Sequence, residues 1–349
     1  MNPVELLREL VRIASPTGQE EALVNRLQTL FGEMGWQARR QGRNLWTILG
    51  DQGPLLLFNS HTDTVPAGNG WSKDPLAAQL QDGRLYGRGA NDAKGCLTAM
   101  ILAAQRVFNA GPRPRGRLCL AATCEEEING QGLQTLLPDL PRPDAAVVGE
   151  PTGLSPAIAQ KGLIVLELTS RGRAAHAAWG GGSNAVETAA RDILSLGALN
   201  WERDHPFLGR PSLNVTQIQG GLCHNMIPDS CRMVIDIRTT PSYRPEEIVS
   251  LVRGRVKSEV TVRSQRLEAV STDPAEPIVR ASLAARPQSQ AFGSPTLSDW
   301  VFLKGIPAIK AGPGDSRRSH TPDEYIAVAE LEEGVDFYEE LMRRYFAAA

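Results

Sequence analysis

Leu55-Leu-Leu-Phe-Asn-Ser-His61-Thr-Asp63-Thr-Val-Pro66 is an apolar run that turns polar at its carboxyl end and stops at a proline. Leu55 to Phe58 offer apolar side chains to both sides, which reads as a strand covered on both faces in a mostly parallel sheet layered with helices. Open α/β sheets place ligands at the carboxyl ends of their strands. His61 and Asp63 are two residues apart, so on extended backbone their side chains leave on the same side. A ligating imidazole needs its second ring nitrogen held, commonly by a carboxylate, and Asp63 can supply that support.

The flanking sequence fits the same layering. Thr17 and Glu20 stand at capping-box spacing, and Leu23, Leu27, Leu30, Phe31 and Met34 recur at helical intervals, which predicts a helix from about 18 to 34. Strands are expected at Leu45–Leu49, Leu118–Thr123 and Ala145–Val148, with a helix from about 94 to 109. From Ile164 to about 265 the texture changes to strand, helix (183 to 198), strand (212 to 218), strand (230 to 238), helix (245 to 254) and strand (258 to 263). After about 273 the first texture returns, with helices near 275 to 286 and 323 to 346 and a strand near Pro307–Ala311. The expected fold class is α/β. A discontinuous domain, residues 1–160 and 273–349, carries a mixed, mostly parallel sheet flanked by helices, and a smaller α/β domain is inserted at 161–272.

The 349 residues allow a sizeable core. Lys and Arg total 37 against 39 Asp and Glu, a net charge of -2 with the signs interspersed, which argues against a nucleic-acid or acidic-membrane partner. Apolar runs break well before the roughly 20 residues a membrane span requires. Met1 leads into an amphipathic stretch rather than a secretory signal, so the expected location is cytoplasmic. The five cysteines are odd in number and scattered, unlike a disulfide framework or a thiolate zinc site.

Chemistry therefore falls to carboxylates and histidines. Gly87-Arg-Gly89-Ala-Asn-Asp92 begins like a dinucleotide loop, but the sixth position is Asp92, whose charge opposes a pyrophosphate. Asp92 reads instead as a ligand presented at a tight turn. Cys124-Glu125-Glu126-Glu127 follows a strand; three adjacent carboxylates repel one another unless a dication turns the repulsion into attraction. Glu150 again sits just past an apolar strand, and His320 lies in a polar loop that begins Gly312-Pro-Gly-Asp-Ser. His61, Asp92, Glu126, Glu150 and His320 all fall at or just beyond strand ends, and such donors without thiolate suit a pair of zinc, cobalt or manganese ions.

With these motifs, Gly149-Glu-Pro-Thr152, Asn214-Val-Thr-Gln-Ile-Gln-Gly-Gly221, Asn225-Met-Ile-Pro228 and Asp236-Ile-Arg238, the chain resembles the M20 metallopeptidases over nearly its whole length. The resemblance implies a two-zinc catalytic domain in which His61 and Glu150 hold one ion, Glu126 and His320 the other, and Asp92 bridges them. It places Glu125 as general base and Asp63 behind His61, and it implies a cis peptide between Asp92 and Ala93. His176 matches a histidine of a lid domain through which members form homodimers. Asn225 and Arg238 match residues that grip the substrate carboxylate, and Gly312 belongs to the substrate pocket. The implied activity is hydrolysis of a small N-acyl amino acid, most like N-acetylornithine or N-acyl-lysine deacetylation. Desuccinylation or dipeptide cleavage is the alternative, with Arg317 or Arg318 as the cation for a succinyl group. A binding protein that has lost catalysis should lack a ligand or the base, and none is missing here.

Overall fold

The Leu55–His61 strand is buried at every position, as its two apolar faces require. In the computed structural model, residues 1–109, 113–128 and 130–348 are described. The chain forms two compact units, one of Met1–Ile158, Thr272–Phe292 and Ser298–Ala349, the other of Ala159–Ser271 and Gly293–Leu297.

The larger unit is built on a mixed sheet. Its strands run in the order Arg39–Gln41, Asn44–Leu49, Arg117–Thr123, Leu55–His61, Ala145–Val148, Ala308–Lys310 and Ala157–Gln160. The four from Arg117–Thr123 to Ala308–Lys310 are parallel neighbours. Their register sets His61 opposite Thr123, and Val148 opposite both Asn59 and Lys310. The residues that follow Thr123, His61, Val148 and Lys310 therefore emerge together along one edge of the sheet.

Helices bury the faces of this sheet. Lys94–Asn109 begins with eleven consecutive buried residues, Lys94 to Ala104, because its Gly, Ala and Cys positions let neighbours approach from every side. Phe108 meets Phe346 of the Val328–Ala348 helix edge-on, ring centroids 6.3 Å apart. That last helix starts five residues later than its periodicity predicts, since Tyr325–Ala327 pairs as a strand with Arg84–Tyr86, which pairs with Gln79–Gln81. Three-residue strands are too short to show a period, so this small sheet is invisible in the sequence. Among the described residues no helix is long and apolar enough to cross a membrane.

The smaller unit is a four-stranded antiparallel sheet, ordered Ser212–Gly220, Ser230–Thr239, Gly162–Arg171, Glu259–Leu267. Its Gly162–Arg171 strand alternates strictly between buried and half-buried positions up to Ser170, the mark of a sheet with one dry face. Ile164, Leu166, Leu168, Met233, Ile235 and Ile237 pack there with residues of the Ala185–Gly197 and Pro245–Arg253 helices. The opposite face carries charge, where Glu167 meets Arg232 and Arg263, both at 2.7 Å.

Leu166 is fully buried. Leu166→Ala should destabilise this unit by about 2–5 kcal/mol, read as an earlier urea transition. A shift worth under about 1 kcal/mol would mean the site collapses around the truncation.

Candidate metal centre

His61 ends its strand with the side chain pointing past the sheet edge, 1% exposed. Its Nδ1 lies 2.9 Å from the Asp63 carbonyl oxygen and 3.4 Å from Asp63 Oδ1. The fully buried Asp63 carboxylate also accepts the Thr17 hydroxyl at 2.8 Å and the backbone N–H groups of Glu126 and Glu127, each at 3.1 Å. Burial works against its charge, but the His61 ring and these donors outweigh it and hold the carboxyl below the ordinary range.

The two oxygens of Asp92 divide between two histidines. Oδ1 lies 3.2 Å from His61 Nε2, and Oδ2 lies 3.7 Å from His320 Nε2. Glu150 Oε1 completes one side at 3.9 Å from His61 Nε2. On the other side His320 Nε2 stands 3.0 Å from Glu127 Oε2. Donor atoms of His61, Glu126 and Glu150, and of His61, Asp92 and Glu127, lie within 4.8 Å of one another. The Asp92–Ala93 peptide is cis.

Glu125 lies elsewhere. Its φ of +58° turns the chain, and its carboxylate pairs with Arg43 instead of entering the cluster. Glu127, quoted in the sequence reading but given no role there, enters in its place. The sequence shows where the strand ends but not this left-handed residue; Glu126 stays within reach of His61 and Glu150, and Glu127 joins His61 and Asp92. Gly312 is buried, and a Cβ there would stand 2.6 Å from Cys96 Sγ and 2.7 Å from the Glu150 carbonyl oxygen. Its absent side chain lets the His320 loop pack against Glu150. The loop's arginines are engaged as well, Arg317 with Asp315 at 2.6 Å and Arg318 with Glu330 at 2.6 Å.

The donor set fits cations. Burial, then the charge of Glu150, pushes Glu126 well above its ordinary value, and burial, then Asp92, pushes Glu150 up to about 8. Buried Lys310 faces Glu150, Glu126 and Asp92, and the crowding of four carboxylates that raises Glu126 and Glu150 is what a divalent ion would relieve. Carboxylates and imidazoles without thiolate are the ligands of borderline and hard divalent ions.

The remaining sequence candidates belong to the smaller unit. His176 is exposed, and its Nδ1 accepts the Ala178 N–H at 3.1 Å. Asn225 is exposed at the end of a loop. Arg238 is half-buried and paired with Asp236 at 2.9 and 3.1 Å.

The sequence model of peptidase family M20/M25/M40 matches residues 57–344. Succinyl-diaminopimelate desuccinylase 2 of Ruegeria sp. (strain TM1040) is 29% identical, with the alignment covering 100% of this chain and 96% of that enzyme. Acetylornithine deacetylase of Myxococcus xanthus is 33% identical over 82% of this chain and 80% of its own length. Among solved structures, a dinuclear metal-binding M20 peptidase from Bacillus subtilis superposes with a TM-score of 0.75 at 16% identity, covering 99% of this chain and 97% of the other. That likeness shows the shared fold.

The raised acids make metal-free protein sensitive to pH. Glu150, at about 8, holds a proton in the folded state that the unfolded chain releases near the ordinary 4.5, and Glu126 and His61 are raised in the same sense. Their contribution is complete below the unfolded values and is lost as pH rises through the folded ones. With chelator present, the urea midpoint should fall between about pH 4.5 and 8, and saturating zinc should flatten that slope. A midpoint that rises across this window in the chelated protein would show that the carboxylates are not crowded.

Proposed function

Because the chain belongs to peptidase family M20/M25/M40 and is thereby a metal-dependent amidohydrolase, we propose that it removes the acyl group from an N-acyl amino acid, of the N-acetylornithine or N-acyl-lysine kind, at a two-zinc centre that cobalt or manganese can also fill. The observation that carries this reading is the division of Asp92, one oxygen toward His61 and one toward His320. His61 and Glu150 would then hold one ion and Glu127 and His320 the second, with Asp92 within reach of either. Divalent ions so held would supply Lewis acidity toward an amide oxygen and lower the pKa of water.

Glu126 carries the proton in this reading. It lies beside His61 and Glu150, and a carboxylate placed there can take a proton and return it. As base it takes a proton from the attacking water; as acid it returns that proton to the departing amine nitrogen. His176 donates to the developing oxyanion. With Nδ1 accepting a backbone N–H, the neutral ring keeps its proton on Nε2, the nitrogen left to act as donor. Asn225 and Arg238 are the groups for the substrate carboxylate, Arg238 sharing its guanidinium with Asp236.

The pairing of Arg317 and Arg318 within their own unit supports an uncharged acyl group over a succinyl group. The Ser212–Gly220 strand is an edge strand, exposed along most of its length. Such an edge is a surface for pairing, and a homodimer through it is part of the proposal, as is a cytoplasmic location.

Turnover of N-acetylornithine, N-acetyllysine, N-succinyl-diaminopimelate and simple dipeptides tests the substrate. The first two should be cleaved fastest, and a preference for the succinyl compound would overturn the acyl-group assignment. Glu126→Gln should retain two zinc ions and lose roughly 10²–10⁴-fold in kcat, whereas Glu127→Gln should bind one ion tightly. Zinc counted by atomic absorption separates the two roles, and loss of an ion from Glu126→Gln but not from Glu127→Gln would reverse them.

A further inference from the structure

Cys124, Glu125, Glu126 and Glu127 present four successive backbone N–H groups, and each is accepted by a side chain from elsewhere in the larger unit. Asn44 Oδ1 accepts that of Cys124 at 3.1 Å, Glu20 Oε1 that of Glu125 at 3.3 Å, and the two Asp63 oxygens those of Glu126 and Glu127. Glu20 is wholly buried. Its second oxygen stands 2.7 Å from Arg43 Nε, off the line of a directed hydrogen bond, so this contact is one of charge. The same guanidinium pairs through Nη2 with Glu125. Arg43 precedes Asn44, so the start of one strand supplies both the guanidinium and the side-chain acceptor of the Cys124 N–H.

Three consecutive carboxylates beside a pair of cations pose a problem of selection. Any two of them could ligate or carry a proton, and a slip of one residue would exchange the roles. Glu125 sits at φ +58°, a conformation non-glycine residues adopt when their surroundings fix it. The surroundings here are Glu20 under its N–H and Arg43 on its carboxylate.

We infer that Arg43 is a positioning residue: by binding Glu125 to Glu20 it withdraws the first carboxylate and directs Glu126 and Glu127 to the metal centre. It acts through Glu125 and belongs to neither the ligand set nor the substrate pocket. The inference rests on the two-ion reading proposed above. Outer groups that orient ligands typically alter metal affinity or activity about 10–100-fold.

Zinc affinity, measured by competition with a chromophoric chelator, tests this without any substrate. Arg43→Met should weaken the second ion by about 10–100-fold and, on any substrate found, lower kcat while leaving KM within about twofold. Arg43→Lys, which keeps the charge but not the fork, should recover part of the loss. The decisive variant is Arg43→Met with Glu125→Gln: removing the released charge should restore second-ion affinity toward that of wild type, which a purely structural role for Arg43 would not do. Should Arg43→Met fail to fold, Arg43→Lys with and without Glu125→Gln gives the same comparison. Wild-type affinity in the single variants, or no recovery in the double, overturns the inference. Wild-type protein that binds fewer than two ions would overturn the two-ion reading itself.

Discussion

The buried Asp63 carboxylate accepts Thr17, Glu126 and Glu127 while facing the His61 ring, and the rest of the centre is placed relative to it. It joins two parallel strands whose ends would otherwise diverge: the Leu55–His61 strand supplies the acceptor, and the loop after Thr123 supplies two backbone donors. A buried anion is costly unless hydrogen bonds satisfy it, so Asp63 and the loop conformation require each other. The imidazole is fixed by the same group, which presents Nε2 to Asp92 and Glu150.

The same device recurs around Asp92. Glu324 Oε1 accepts the N–H groups of Asn91 at 2.9 Å and Asp92 at 3.0 Å, and its other oxygen meets Arg88 at 2.6 Å. Glu20 with Arg43 is the third instance. Each outer carboxylate holds backbone donors of a segment that delivers an acidic ligand, and in two cases one arginine offsets its charge. The segments are thus held by groups with no open coordination to offer, which leaves the inner carboxylates to face one another. Their repulsion is the price of a centre preorganised for cations.

The parallel strands and the helices that cover them were legible because apolar runs of four to seven residues and helical periodicity reflect burial directly. His61 and Glu150 come together because each lies at or just past the end of a parallel strand whose apolar run marks that end, and the register aligns those ends; Asp92 and His320 arrive on loops whose course no sequence period records. Glu126 and Glu127 were not separable. Their order of use depends on one left-handed backbone residue and on Arg43, more than 80 residues earlier in the chain, neither of which leaves a periodic trace. At Gly312 the room left by the missing side chain is filled by Cys96, Tyr338 and the Glu150 backbone, a close packing that leaves no periodic trace in the sequence.

The centre is also asymmetric in its access to water. His61 is 1% exposed, while the His320 side chain is 51% exposed at the far end of the same Asp92 carboxylate. Beneath lies the helix that starts at Lys94, buried from its first turn and anchored where Lys94 Nζ donates to the Leu10 and Ile13 carbonyls at 3.1 and 2.8 Å. The exposure is confined to the His320 ring, because the Glu127 and Glu150 side chains are 7% and 12% exposed and so both enclosed. Electrostatic interactions strengthen as water is excluded, so the carboxylates face one another in a largely dry setting that water approaches along one imidazole.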